Sequence, residues 1–287
     1  MKKIVYVGLA VLVASGAFAA TSKDAAGIPG TAPGAVTNKD AMGTILSSWV
    51  TPAGSNGRAC CETGGYVIVN TYYNPQYVCT PAGSLVRSHS LTGTGWRDSS
   101  RCHLGACYYA ILMANSPYTV AFVNVSTGSV AGSFNTTAMS PFPMNLAYDP
   151  DANFYYANGY YETSLARKYT TTGSLSGNIT IGGMGAYVGA LGYTKAAKNL
   201  NGAYIWASNF GATTEAICTT TGSVVATFSG AETNGCGGDC GKASANNDWV
   251  VWELRSSSLR LYQYDIESAV NPAVTPESLG KIKTLFN

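Results

Sequence analysis

The sequence TTTGSLSGNI at residues 170–179 occurs in three further versions along the chain. These versions are TPAGSLVRSH at 80–89, VSTGSVAGSF at 125–134 and TTTGSVVATF at 219–228. Their glycines are Gly83, Gly128, Gly173 and Gly222, spaced by 45, 45 and 49 residues, and weaker copies begin at Gly43 and Gly280. A period of about 40 to 50 residues is typical of propeller blades or of helical arrays.

The residues between these turns favour strands. Segments such as 66–69, 154–157, 204–207 and 249–252 are rich in Tyr, Val, Ile and Trp, and Gly, Asn, Asp and Pro flank them. No stretch of ten or more residues has the apolar spacing that helical repeats require. The third copy predicts four strands, near 145–148, 154–157, 165–170 and 175–179. The sequence therefore predicts an all-β propeller with four-stranded blades.

The number of repeats favours five blades. The pattern of the first three strands occurs five times, whereas the fourth-strand pattern occurs six times because of the copies at Gly43 and Gly280. We expect the surplus strand at Gly43 to pair beside the last blade and close the ring, which protects an open edge. A six-bladed ring with a degenerate blade is the alternative, and a partner chain could instead pair with that edge.

These repeats resemble those of the NHL-type and streptogramin-lyase-like propellers. The resemblance rests on AYDPDANFYYAN from Ala147 and RKYTTTGSL from Arg167, and as a blade pattern it extends over residues 43–287. It specifies an architecture on which many unrelated activities occur. It also implies that the loops between second and third strands, and those between blades, gather on one face around the central channel.

The predicted ligand-binding face combines aromatic rings with amide and charged groups, which suit a neutral glycan or a protein. Its residues are Asn70, Tyr72, Tyr73, Trp96, Arg97, Asp98, Asn115, Tyr118, Asn145, Asn158, Tyr160, Tyr161, Asn209, Phe210, Glu253 and Arg255. The alternative is structural: the tyrosines pack between blades and the asparagines stabilise turns.

The N-terminus predicts export. Lys2 and Lys3 precede an apolar run over residues 4–13, and small residues follow, which is the pattern of a secretory signal peptide cleaved after Ala19 or Ala20. The run is too short for a membrane span. Residues 1–20 are therefore expected to be removed, residues 21–42 to form an Ala/Gly/Pro-rich leader, and the mature protein to be extracellular or periplasmic.

Charge excludes polyanionic partners. Charged residues make up 11% of the chain, against roughly 25% on average. Removal of Lys2 and Lys3 reduces the formal net charge from +2 to zero. Since no Lys/Arg cluster remains, neither nucleic acid nor an anionic membrane is an expected partner.

The eight cysteines all follow the signal sequence. An even number in an oxidising compartment indicates disulfides, with the local pairs Cys102–Cys107 and Cys236–Cys240 as candidates. Zinc is the alternative, but the chain has only two histidines to complete a ligand set.

Catalytic and metal patterns are sparse. The lyase-like resemblance implies a histidine base, for which His103 with Asp98 or Glu253 is the candidate grouping. Asp149, Asp151 and Asn153 have the spacing that opens a calcium loop, but the Gly and Glu expected later in the loop are missing. No cofactor fingerprint is present, so no cofactor is expected.

The combined prediction is an exported binding or interaction module rather than an enzyme. A lyase-like enzyme that uses His103 is the first alternative. A structural surface protein that self-associates through the strand at Gly43 is the second.

Overall fold

The computed structural model describes residues 42–136, 139, 142–162, 164–182, 184, 187–195, 203–242 and 249–267. The predicted signal peptide, residues 21–41 of the leader and the repeat copy at Gly280 lie outside the described residues. No helix in the described part is long and apolar enough to cross a membrane.

The described residues form five antiparallel sheets of four strands each, which confirms the all-β fold and the five blades. Blade 1 contains β2 (Gly57–Thr63), β3 (Tyr66–Thr71), β4 (Gln76–Cys79) and β5 (Leu85–His89). Blade 2 contains β6 (Trp96–Arg101), β7 (Tyr108–Met113), β8 (Thr119–Asn124) and β9 (Val130–Asn135). Blade 3 contains β10 (Pro143–Asp149), β11 (Phe154–Gly159), β12 (Leu165–Thr170) and β13 (Leu175–Thr180).

The remaining strands form two further blades. Blade 4 contains β14 (Val188–Thr194), β15 (Tyr204–Asn209), β16 (Thr214–Thr219) and β17 (Val224–Ser229). Blade 5 contains β18 (Gly235–Lys242), β19 (Trp249–Arg255), β20 (Arg260–Asp265) and β1 (Ile45–Val50). A short 3-10 turn at Gly54–Asn56 leads into blade 1.

Strand β1 closes the ring as expected. It pairs antiparallel with β20 and supplies the outer strand of blade 5. The first and last parts of the propeller are thus joined within one sheet. The strand at Gly43 is therefore paired inside its own chain, and nothing in the structure shows self-association through it.

Burial decreases from the axis outward. The inner strands β2, β6, β10, β14 and β18 contact their neighbours around the ring. Every residue of β10 and β14 is buried, whereas the outer strand β13 is almost wholly exposed. The polar residues of the inner strands are therefore mostly buried and need partners inside the protein, whereas the outer strands expose theirs.

The repeated glycine is required where neighbouring blades meet. Gly173 has φ +87°, and a Cβ at this position would lie 2.7 Å from the Cβ of Phe134 on the preceding blade. The turn glycines of the other blades likewise have positive φ and lie against the preceding outer strand. The sequence repeat is therefore also a repeat of blade-to-blade contacts.

Candidate functional site

The upper end of the propeller is the end at which second strands finish and inner strands begin. In every blade the first residue after the second strand donates its backbone N–H to the carbonyl of the residue before the inner strand. These bonds join Tyr72 to Asn56, Ala114 to Gly95, Tyr160 to Phe142, Phe210 to Tyr187 and Ser256 to Asn234, over 2.7–3.2 Å. The two loop sets predicted to gather on one face therefore do so.

A ring of bulged residues lies at the start of the inner strands. Each inner strand has a register shift after its first residue. The residues at the shifts, called the bulge ring below, are Arg58, Arg97, Met144, Gly189 and Cys236. A β-bulge re-aims a side chain and occurs often beside functional sites. Arg97 is within electrostatic range of the Arg58 charge and of the neutral Cys236 thiol, so blades 1, 2 and 5 meet at this level.

Two cations of the bulge ring share one aromatic ring. The guanidinium carbons of Arg97 and Arg58 lie 4.8 and 5.8 Å from the ring centroid of Tyr72. Both arginines are half-buried. Burial lowers the pKa of Arg97, and the charge of Arg58 lowers that pKa further, but an arginine keeps its proton in proteins. Two like charges are therefore held close together.

Neither arginine has an acidic partner in the described part of the chain. Arg58 donates through Nη1 to the carbonyls of Ser55 and Gly57, at 3.1 and 2.7 Å. Nε of Arg97 is buried and makes no hydrogen bond with any described residue. A half-buried cation without an acceptor is unfavourable until a partner supplies one.

In the part of the chain that the structure describes, exposed aromatic rings are confined to the upper end. Among the described residues, the exposed large aromatic side chains are Tyr73, Phe142, Tyr161 and Tyr187, with 52%, 51%, 60% and 37% of their surface accessible. Tyr160 stacks on Tyr187 at 5.1 Å between centroids and contacts Phe210 at 6.2 Å. Phe142 has φ +70°, a costly conformation for a bulky residue. Here the chain holds a large aromatic side chain in a strained, exposed position.

The structure divides the predicted face into accessible and buried groups. The accessible or half-buried residues are Tyr72, Tyr73, Arg97, Asn115, Tyr118, Tyr160, Tyr161 and Phe210. The buried residues are Asn70, Trp96, Asp98, Asn145, Asn158, Asn209, Glu253 and Arg255. The buried group cannot contact a ligand on the surface, which corrects the sequence-based assignment of these residues.

Glu253 and Arg255 belong to a fully buried ion cluster. Nη2 of Arg255 contacts Oε2 of Glu253 at 2.6 Å and also bonds to Glu215. Trp206 donates to Glu215 at 2.9 Å. Burial raises the pKa of both carboxyls, and the Arg255 guanidinium opposes this rise. Because these groups bind each other between blades 4 and 5, their role is structural.

Asp98 and Asn145 tie inner strands together. Asp98 accepts the backbone N–H of Leu146 at 2.7 Å, and burial raises its pKa well above the usual range. Asn145 donates to Oδ1 of Asn158 at 2.6 Å and to the carbonyl of Val188 at 2.9 Å. These side chains thus join neighbouring strands beneath the bulge ring, and Asn145 and Asn158 do so from within strands rather than by stabilising turns.

The structure does not bring the lyase-like grouping together. His103 follows the lower end of β6, whereas Asp98 lies near its upper end. His103 instead contacts Tyr155, at 3.0 Å from Nδ1 to the hydroxyl, and packs against the ring of Phe122 at 4.5 Å. Burial lowers its pKa. Glu253 is inside the ion cluster, so neither proposed carboxylate reaches this imidazole.

The calcium-like spacing forms a turn. Oδ1 of Asp149 accepts the backbone N–H groups of Asp151 and Ala152, each at 2.9 Å. Asp151 binds Lys195, and Asn153 accepts the Tyr148 hydroxyl. These oxygens are therefore used within the protein. Among the residues that the structure describes, no group of three or more His, Cys, Asp or Glu could hold a metal ion.

The expected disulfides are absent, because all eight cysteines are free. Cys236 and Cys240 lie on one strand, β18, where four residues span about 13 Å. A disulfide needs Cα atoms within about 7 Å. In the other candidate pair, Cys102 is buried beside Tyr155 whereas Cys107 is exposed.

Two cavities lie at the lower end. The larger, of about 860 Å³, includes Asp151 and Lys195 in its wall, and these two already form an ion pair of 2.7 Å. The smaller, of about 270 Å³, includes Glu62 and Arg101. Trp252 donates to Glu62 at 2.8 Å, and Arg101 lies 3.8 Å from Asp239. Because these charges have partners, we place the candidate site at the bulge ring.

Sequence reasoning missed Arg58 and Tyr187. Arg58 is the second residue of β2, and only alignment with Arg97, the second residue of β6, would have identified it. Tyr187 immediately precedes β14 and corresponds to Phe142 before β10. That correspondence is visible only once the first residues of β10 and β14 are known.

Comparison with known proteins supports the architecture. No protein-family model and no curated protein matches this chain. A glutaminyl cyclase from Myxococcus xanthus is similar, with a TM-score of 0.56, 11% identity and coverage of 77% of this chain and 94% of that chain. This chain shares a β-propeller fold with it. At this identity the similarity shows the fold alone.

Two further structures match more weakly. They are a chain of a mitotic checkpoint complex, with a TM-score of 0.44, 10% identity and 72% of this chain covered, and the WD40 propeller domain of Doa1, with 0.45, 16% and 72%. This chain spans 61% and 62% of their lengths, respectively. A β-propeller is consistent with an interaction or binding module.

Proposed function

We propose that this protein is an exported protein-binding module whose upper end docks a partner. The observation that carries the proposal is the confinement of exposed aromatic rings to that end within the described residues. The signal-like pattern of residues 1–20 supports export.

The composition of this end favours a protein over the neutral glycan considered from sequence. Protein interfaces are enriched in Tyr, Phe, Met and Arg and depleted of Lys and Glu. The bulge ring supplies the half-buried Arg58 and Arg97, and the loops around it supply Tyr and Phe. Tyr and Arg also dominate the residues that contribute most binding energy.

The loops that carry these aromatic rings are held rigidly. The loops at the upper end are joined in every blade by the same backbone hydrogen bond. Side chains held on rigid elements lose less entropy when a partner binds. The aromatic rings therefore form a preorganised surface.

A displayed random-peptide library, selected on the immobilised full chain, tests the proposal. The variant carries Phe142→Ala and Tyr161→Ala, whose rings lie 6.4 Å apart. The matched control carries Val130→Ala and Leu175→Ala, two exposed aliphatic residues on outer strands. We expect enriched peptides that bind the wild type and the control equally and the aromatic variant at least about tenfold more weakly.

Two results would overturn the proposal. One is equal peptide binding to all three proteins. The other is the absence of any enriched peptide together with specific binding on a glycan array. Circular dichroism melts of each variant ensure that lost binding is not lost folding.

A further inference from the structure

We propose that Arg58 and Arg97 form an anion site that binds an acidic group of the partner protein. This inference rests on the proposed function and adds the chemistry of the partner: an Asp or Glu side chain, or a C-terminal carboxylate, flanked by aromatic or apolar residues. The site is the arginine side of the bulge ring.

The first support is an unbalanced pair of charges. Arg58 and Arg97 occupy equivalent bulge positions in neighbouring blades, and each lowers the cost of placing an anion beside the other. The other bulge positions are Met144, Gly189 and Cys236, which carry no formal charge that would neutralise the pair.

Second, the carboxylates near the two arginines already bind other groups of the protein. Among the described residues of the upper end, Glu162 pairs with Arg167, and Glu232 accepts from Tyr262 and Ser257. Glu215 and Glu253 bind Arg255. Asp98 is used by backbone N–H groups. No described carboxylate remains to pair with Arg58 or Arg97.

The third support is the unpaired donor itself. The Arg97 side chain donates no hydrogen bond to a described residue; its Nε is buried, so its terminal guanidinium nitrogens are the donors that a carboxylate can reach. A guanidinium presents its donors as a planar fork that matches the two oxygens of a carboxylate. The cation–π contact with Tyr72 at 4.8 Å holds that fork in place.

The surroundings fit a peptide. Arg97 lies over the ring of Tyr72 of blade 1, and the hydroxyl of Tyr160 of blade 3 is within electrostatic range of its guanidinium. Tyr160 in turn contacts Tyr187 and Phe210. A carboxylate held at the arginines would therefore place neighbouring apolar side chains of the same peptide against these rings.

This ligand differs from the neutral one expected from the overall charge. Net charge sums every ionised group in the chain, including those that are already paired. Binding depends instead on local charges that lack partners, and these are positive at the bulge ring.

The test measures fluorescence anisotropy of two labelled peptides with the full chain. One peptide alternates Glu and Tyr, and the other alternates Gln and Tyr. We expect the Glu peptide to bind the wild type at least about tenfold more tightly, as a charge-assisted hydrogen bond implies. Arg97→Gln and Arg58→Gln should each remove most of this preference.

Arg87→Gln is the matched control. Arg87 also lies over a tyrosine, with its guanidinium 5.7 Å from the ring of Tyr66, and binds one backbone carbonyl, but it is on an outer strand. We expect this variant to keep the full preference for Glu. Equal loss in Arg87→Gln would show a general charge effect and overturn the site.

The remaining outcomes separate this inference from the proposed function. If both peptides bind equally, and only Phe142→Ala with Tyr161→Ala weakens them, the face binds proteins but the anion site is wrong. If an oligogalacturonate binds through Arg97 and the Glu peptide does not, the site takes an acidic glycan and both proposals are wrong. If neither the Glu peptide nor the oligogalacturonate binds, the anion site is wrong.

Discussion

Arg58 and Arg97 occupy the same bulge position on adjacent inner strands, and their guanidinium groups approach one tyrosine ring, that of Tyr72. Proximity of two unpaired like charges destabilises the fold unless salt or an anion screens them. The arrangement therefore has a consequence for stability that can be measured without knowing the ligand.

We expect added sodium chloride to raise the thermal unfolding midpoint of the wild type more than that of Arg97→Gln. Screening relieves the repulsion only where both arginines are present. The gain in the free energy of unfolding should therefore be larger for the wild type by roughly 0.5–1 kcal/mol. Differential scanning calorimetry between low and high salt measures it. Arg87→Gln should respond like the wild type, and an identical response of all three proteins would contradict the repulsion.

Replacement of Arg255 by Met should destabilise the protein by about 3 to 5 kcal/mol at neutral pH. It leaves Glu215 and Glu253 buried without their cation. Urea unfolding followed by circular dichroism measures the loss. Arg260→Met removes a half-buried arginine whose contacts are with Ser48, and we expect a much smaller effect.

The cost of Arg255→Met should grow as pH rises. Burial raises the folded-state pKa of both carboxyls above the unfolded value of 4.5. The folded state thus binds more protons, so stability is greatest below the unfolded pKa and is lost as pH rises through the folded pKa. Without the Arg255 cation the two buried carboxylates are more costly to ionise, so the loss of stability with rising pH is larger. A pH-independent difference between variant and wild type would count against the ion cluster.

Gly173→Ala should destabilise the propeller by about 2 to 4 kcal/mol, because it combines a left-handed backbone with overpacking. The new Cβ would lie 2.7 Å from that of Phe134. Gly132→Ala is the control, since its Cβ would be 3.4 Å from Phe122, an ordinary contact. Equal midpoints of urea unfolding for the two variants would argue against a close blade contact at Gly173.

The thiol content distinguishes the structure from the sequence-based expectation of disulfides. We expect a maleimide reagent to label all eight cysteines in denaturant without reductant, and chiefly Cys107 in the native protein. Burial raises the pKa of thiols such as Cys60 and Cys240, which slows their reaction. Mass spectrometry counts the labels, and fewer than eight in denaturant would indicate disulfides.

The sequence predicts the architecture well because blade structure is encoded locally. The turn glycines, the flanking strands and the period recur along the chain, and four of the five blades form from consecutive strands. Even the closing strand β1 was predictable, since its sequence is a fourth strand without the preceding three.

The candidate site is less accessible to sequence reasoning. The loop positions implied by the resemblance to repeat propellers placed Tyr72 and Tyr160 at the upper end, where they lie. It also placed Glu253 and Arg255 on the surface, although they end a strand that the neighbouring blade covers. The sequence shows which residues follow a strand but not which neighbouring blade covers them.

The sequence by itself therefore determined the strands and the turns and favoured five blades over six, because these depend on residues close together in the chain. The tertiary structure alone decided that Arg58 and Arg97, 39 residues apart in the numbering, share Tyr72. Ring closure brings successive inner strands side by side, and each bulge re-aims one side chain there. Those contacts between blades decide which charged side chains are paired, and the spacing of residues in the sequence does not show the contacts.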